Sequence, residues 1–241
     1  MCILNIETST SICSVALAAD GKVLFEKAAF DGPSHASLIG VYVEEALEVL
    51  KSQALKLDAV AVSSGPGSYT GLRIGVSIAK GLCFGFGIPL IGIHTLDILA
   101  AAAIRQLKEE AEGTFFCPML DARRMEVYAA IYDRHLQPVR PTTADIVTAE
   151  TYAPYLHEQR VCFFGNGAAK CKETIASANA LFLDDIHPLA TEMIPLSEKA
   201  FEAGQFEDVA YFEPFYLKEF QATIAKNKVL NEALAESKLR Q

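Results

Sequence analysis

Three stretches of this chain hold residue types that phosphate or acid-base chemistry could use. In the first, Glu7-Thr8-Ser9-Thr10-Ser11 sets a carboxylate beside four hydroxyls, directly after the apolar residues Ile3, Leu4 and Ile6. Such hydroxyls can grip a phosphate while the acid places water or a metal ion; a hydroxyl-rich hairpin turn without a ligand has the same pattern. The second stretch is Gly65-Pro66-Gly67-Ser68-Tyr69-Thr70-Gly71-Leu72-Arg73-Ile74-Gly75. A glycine turn feeding a helix presents backbone N–H groups and the positive end of the helix dipole, which suits an anion. Tight turning and close helix packing are the plainer use of the same glycines. No Lys-Ser/Thr pair follows them, as a Walker A loop requires, and Gly71 falls one residue late for a dinucleotide fingerprint. The third stretch, Asp121-Ala122-Arg123-Arg124, fits a salt-bridged turn or a catalytic acid. The five histidines form no HxxxH or HExxH pair and no GxSxG occurs, which leaves metalloenzyme and serine-hydrolase readings without support.

Something must position these groups, and composition limits what that can be. The 241 residues are 51% hydrophobic and 21% charged, enough for one large domain or two modest lobes with a genuine core. A net charge of -9 makes the chain a poor stand-alone binder of nucleic acid. A role near RNA would need a local basic patch or a basic partner. The cysteines at positions 2, 13, 83, 117, 162 and 171 form no CxxC and mostly sit in apolar runs, which predicts buried reduced thiols and no zinc site. The start lacks a basic export signal, and the uncharged stretch 81–96 is broken by Gly85, Gly87, Pro89 and His94. A soluble cytoplasmic protein without a membrane segment is expected.

The patterning predicts a hairpin over 2–17 and a third strand over 22–30, making a meander after the Asp20-Gly21 turn. A helix from 33 or 34 to about 51 follows, with Leu38, Ile39, Tyr42, Ala46, Leu47 and Leu50 on one face and Glu44, Glu45 and Glu48 opposite. A strand over 59–63 leads into the glycine turn, a helix runs from 69 or 70 to the Gly85/Gly87 pair, a strand covers 89–93, and a helix covers about 96–112. The second half repeats the plan. A strand over 115–120 ends at Asp121 as the first ends at Glu7, a return strand covers 126–132, and Val161-Cys162-Phe163-Phe164 enters Gly165-Asn166-Gly167 before a helix over 168–178. Matched order marks an internal duplication. The helix after Ser68 is apolar nearly all round, with Gly71, Gly75 and Ala79 on one face, so it needs cover on both sides. The sheet gives one cover. A partner chain, or the second lobe, gives the other.

The hairpins and glycine turns resemble the actin-type ATPase fold. More narrowly, Ile6-Glu7-Thr8-Ser9, the segment 65–75, Gly87-Ile88-Pro89-Leu90-Ile91-Gly92, Asp121-Ala122-Arg123-Arg124-Met125-Glu126-Val127-Tyr128 and Pro214-Phe215-Tyr216-Leu217 are together similar to the TsaB (YeaZ-type) family. These are subunits of bacterial tRNA threonylcarbamoyladenosine synthesis. The resemblance implies an α/β fold of two duplicated actin-like (ASKHA, ribonuclease H-like) lobes, each a mixed sheet flanked by helices. The lobes would cover 1–103 and 104–217, with a C-terminal helical segment over 218–241 packing back on the first lobe.

It further implies a non-catalytic scaffold that pairs with a catalytic TsaD-like paralogue, supported by a TsaE-like ATPase, and that meets tRNA only through the complex. Alone, the chain would form a homodimer. The paralogue's two histidine metal ligands would align with Thr95 and Leu99, so no metal site is expected, and His94 is taken as a strand-end histidine. The implied partner interface is Leu38, Ile39, Tyr42, Val43, Gly71, Arg73, Gly75, Ile78, Ala79 and Leu82. Vestigial nucleotide or phosphate contacts would be Glu7, Thr8, Ser9, Thr10, Gly65, Gly67, Asp121, Gly165 and Gly167. No tightly bound cofactor is expected, with weak ATP or ADP binding, or a nucleotide at the complex interface, left open. The alternatives are a stand-alone ATP-dependent small-molecule kinase of the same fold and a metallopeptidase.

Overall fold

The computed structural model describes residues 1–30, 35–107 and 112–217; the expected helical segment 218–241 lies outside the described residues. Strands β1 (Cys2–Glu7), β2 (Cys13–Ala19) and β3 (Lys22–Ala29) form the antiparallel meander. Helix α1 (His35–Ser52) then crosses to β4 (Ala59–Gly65), which pairs parallel with β1. Helix α2 (Tyr69–Phe86) crosses to β5 (Leu90–His94), parallel to β4, and gives the order β3-β2-β1-β4-β5. Strands β1 and β4 are covered on both faces, which is why they read as unbroken apolar runs rather than alternating ones. On one side Leu4, Ile6, Val60 and Val62 meet Ile39 and Val43 of α1 and Val76 and Ala79 of α2. On the other side Ile3, Ala59 and Ala61 meet Ile98 of α3 (Thr95–Leu107) and Met193 of α5 (Ala190–Glu202).

The second sheet repeats the first strand for strand. Strands β6 (Thr114–Asp121), β7 (Glu126–Tyr132) and β8 (Pro138–Ile146) form its meander, α4 (Ala153–Glu158) intervenes, and β9 (Arg160–Phe164) and β10 (Ala180–Phe182) complete the order β10-β9-β6-β7-β8. Read from the meander edge, both sheets run third, second, first, fourth, fifth strand. This is the duplicated actin-like arrangement, two mixed sheets flanked by helices.

Two features differ from the sequence expectation. The helix expected over 168–178 is a single 3-10 turn at Ala169–Cys171 followed by further turns. Only Ala168, Cys171 and Ile175 are buried there, and Lys170 is drawn back to the β6–β7 turn, so tertiary contacts override helix propensity. Helix α3 is described over Thr95–Leu107, and the expected continuation over 108–111 lies outside the described residues. From α5 onward the chain packs on the first sheet, not the second. Ala190 N–H donates to Ser14 Oγ at 2.8 Å, Glu207 bridges Leu90, and Phe215 N–H donates to the Ser64 carbonyl at 2.7 Å. The second lobe expected over 104–217 therefore hands its last stretch back to the first. All six cysteines are buried and unpaired.

Candidate functional site

The β1–β2 turn and the N-terminus of α2 meet where β1 and β4 end. Ser68 caps α2, its Oγ accepting the Gly71 N–H at 3.3 Å, while Gly87 closes the other end in the left-handed conformation at φ 68. The turn does not leave a phosphate cradle open. The Ser68 N–H donates to the Ser9 carbonyl at 2.6 Å, so one of the helix-opening amides is already satisfied by the chain. A Cβ on Gly67 would collide with that same Ser9 carbonyl, and a Cβ on Gly75 would collide with Thr8 Oγ1. These glycines let α2 sit directly on the hydroxyl turn.

Glu7 is wholly buried. Its Oε1 accepts the Ser9 N–H at 2.5 Å, and the Thr8 N–H donates to Ser63 Oγ at 3.3 Å. Burial pushes the Glu7 carboxyl up from 4.5 to about 7, against the opposing pull of the Ser9 N–H that it accepts. Glu7 Oε2, Thr8 Oγ1 and Ser9 Oγ are buried without a hydrogen-bond partner. The three expected phosphate contacts Glu7, Thr8 and Ser9 therefore point into the protein. Thr10 differs: its Oγ1 accepts the Ile12 N–H at 3.2 Å and it lines a cavity.

That cavity, about 260 Å³, lies between the lobes. Thr10 and Ser11 come from the first hairpin tip, Leu120 and Asn166 from the second lobe, and Phe30 and His187 help close it. Asn166 Oδ1 also accepts the Asp121 N–H at 2.9 Å. Asp121 itself is ion-paired with Lys170. Gly165 and Gly167 rest against the Met119 carbonyl and the backbone of Leu120 and Asp121, and Gly65 against the Phe215 carbonyl. The structure thus brings the two hairpins to opposite walls of one cavity, with Thr10 the expected contact that lines it. Asn166 is one of several lining residues outside the expected contacts; its signal is an Asn between two glycines, where a side-chain carbonyl caps a neighbouring strand end. A larger hollow of about 510 Å³ beside α5 is lined by groups already paired, Arg105 with Glu192 and Glu198 with the Gly21 N–H.

The expected partner face needs correcting in rotation. Gly71, Gly75 and Ala79 are buried against this chain's own first sheet and hydroxyl turn, as are Ile39 and Val43 of α1. Periodicity identified the small stripe but could not say that the sheet, not a partner, needed it. Leu38, Tyr42, Ile78 and Leu82 are half-buried at the rim of that core. Arg73 faces outward, stacked 4.5 Å from the Tyr69 ring centre, with Nε donating to Tyr216 Oη at 3.3 Å. The outward stripe of α2 is Arg73, Ser77, Gly81 and Phe84, with Phe84 86% exposed; α1 adds Gly40 and Val41.

Thr95 and Leu99 are fully buried at the start of α3, and exposed His94 packs edge-on against Phe215 at 5.6 Å. Among the described residues no three His, Cys, Asp or Glu side chains are grouped to hold a metal, and no helix is long and apolar enough to cross a membrane.

Comparison with known proteins accords with this architecture. A family model described as TsaD, tRNA N6-adenosine threonylcarbamoyltransferase, matches residues 31–226. The tRNA threonylcarbamoyladenosine biosynthesis protein TsaB of Escherichia coli is 32% identical over 228 residues, 90% of this chain and 95% of that protein. The Bacillus subtilis TsaB is 33% identical over 132 residues, 55% of each chain. A Pseudomonas aeruginosa structure described as similar to the peptidase YeaZ superposes with a TM-score of 0.75 at 23% identity, over 90% of this chain and 99% of that one. A family model spanning most of the chain, a near full-length relative above 30% identity and the shared fold lead to one conclusion: the chain belongs to the TsaB (YeaZ) family of tRNA threonylcarbamoyladenosine biosynthesis proteins.

Proposed function

We propose that this chain is a non-catalytic subunit that pairs with a TsaD-like paralogue for threonylcarbamoyl transfer to the adenosine beside the anticodon of tRNA. The observation that carries the reading is the self-filled hairpin of the first lobe. An actin-type ATPase needs hydroxyls and a carboxylate free to hold phosphate, Mg and water. Here Ser68 N–H is taken by the Ser9 carbonyl and Glu7 is sealed inside. Burial disfavours the charged form of that acid, the form a metal ion would need.

The partner surface in this reading is the outward side of α1 and α2. Gly40 and Gly81 meet nothing within 4 Å at their Cβ positions, and Val41 and Phe84 offer apolar contact beside them. Small residues next to large exposed ones allow close approach of another helix pair. The same surface would form the homodimer of the isolated chain. A TsaE-like ATPase would act on the assembled pair, nucleotide would bind weakly or at the complex interface, and the setting would be the cytoplasm.

A mixing experiment tests this. The chain alone should neither hydrolyse ATP at a useful rate nor modify tRNA, and adding the paralogue should switch on threonylcarbamoyladenosine formation. The cavity lined by Thr10, Ser11 and Asn166 is what a stand-alone kinase would use, and steady ATP consumption by the chain alone would establish that reading instead.

A further inference from the structure

The two hairpin tips of the duplicated lobes have diverged. The first, Thr8–Ser9–Thr10, is buried; the second, at Arg123 and Arg124, is exposed. Both arginines have left-handed backbones, φ 71 and 48, in a turn where Asn and Gly are the unstrained choices. Neither guanidinium has a hydrogen bond or ion pair among the described residues. The turn beneath them is braced. Lys170 Nζ donates to the Arg124 and Glu126 carbonyls at 2.7 Å each and pairs with Asp121. The Arg123 N–H donates to Asp121 Oδ1 at 3.1 Å, and the Val147 N–H donates to the Met125 carbonyl at 2.9 Å. Asp121 is thus spent on Lys170 and the turn's own amide.

We propose that the Arg123–Arg124 tip is a contact for the phosphate backbone of RNA, so that this subunit touches the tRNA directly. The inference rests on the functional reading above and departs from the expectation that tRNA is met only through the complex. On a chain of net charge -9, an RNA contact has to be local and free of competing carboxylates. Two unpaired guanidinium groups on a braced turn meet that need, because their planar forks match phosphate oxygens and little is lost in ordering them. A protein interface is the weaker fit. Stable protein contacts centre on an apolar patch depleted of charge, whereas here two guanidinium groups form the tip and the exposed apolar side chains near it are Met125, 37% exposed, and Ile146, 72% exposed and paired with Glu126 on the neighbouring strand.

The strain supplies a clean variant. The double substitution Arg123→Asn/Arg124→Gly removes both charges and replaces the strained residues by ones suited to the turn, so the fold should be at least as stable. The variant and wild type are each assembled with the paralogue, and binding of labelled tRNA is followed across a salt series. The expected result is affinity lower by about tenfold or more near physiological salt, with the slope of log affinity against log salt reduced by roughly 1.5, the loss of about two phosphate contacts. The thermal midpoint of the subunit should hold or rise. Unchanged affinity and slope overturn the proposal. So does a variant that fails to assemble with the paralogue although folded, because the tip is then a protein contact. A wild-type mixture that forms no threonylcarbamoyladenosine overturns the functional reading itself; a wild-type mixture that is active with an unaffected variant overturns only the RNA contact.

Discussion

Replacing Glu7 by Gln isolates what it costs to bury an acid at the end of β1. The carboxyl is fully buried, Oε1 takes the Ser9 N–H, and Oε2 has no hydrogen-bond partner. Burial lifts it from 4.5 to about 7, so the folded chain holds this proton more tightly than the unfolded chain. Its contribution to stability is therefore complete below pH 4.5, declines as pH rises through the interval, and reaches its floor above about 7. The size of that decline is about 3 kcal/mol, at about 1.4 kcal/mol per pH unit. Glu7→Gln keeps the shape and removes the titration. Urea unfolding of both proteins from pH 4.5 to 8.5 gives a difference curve in which every other titrating group cancels. The variant should gain on the wild type as pH rises, by about 2 to 3 kcal/mol across the range. A difference that stays flat refutes the reasoning. A wild type that gains with pH would mean that Glu7 is ionised in the fold, with the capacity for a cation that the functional reading denies.

Gly75 and Gly81 separate packing from assembly. Gly75→Ala forces a Cβ against Thr8 Oγ1 and should lower stability by roughly 1–3 kcal/mol in thermal unfolding, with assembly unaffected once the protein is folded. Gly81→Arg enters open space and should leave the melting temperature within a few degrees while sedimentation shows loss of both homodimer and paralogue binding; an unchanged oligomer puts the interface elsewhere. Because Thr95 and Leu99 are sealed in the core of α3, the dialysed chain should carry no stoichiometric zinc or iron, and one tightly held ion per chain by elemental analysis would revive a metal-dependent role. ATP turnover by the chain alone should stay far below about 1 per second, the low end for ordinary enzymes.

The first half of the fold was legible because its central strands are buried on both faces and α2 is capped at both ends. Residues 59–63 could hardly be anything but a central strand, and Ser68 and Gly87 mark both ends of α2 with the residues that helix termini prefer. The second half was less so. The stretch 168–178 has a helix-forming composition, yet its position is settled by Lys170 reaching a turn more than 40 residues away in sequence, which no local pattern records. The same limit governs the site. Glycines at 65, 67, 71 and 75 signal close approach without saying whether the approaching group is a phosphate, a partner helix or the chain's own hydroxyl turn. The structure answers with Ser9 and Thr8, and that one answer moves two expectations together. The turn that would have held phosphate is filled by the helix, and the small helix face that would have met a partner is used up in filling it. Function then has to lie on what this packing leaves outside. In the first lobe that is the opposite side of α2, and in the second it is a hairpin tip with no helix beside it to seal it, where two arginines stand free of any partner among the described residues.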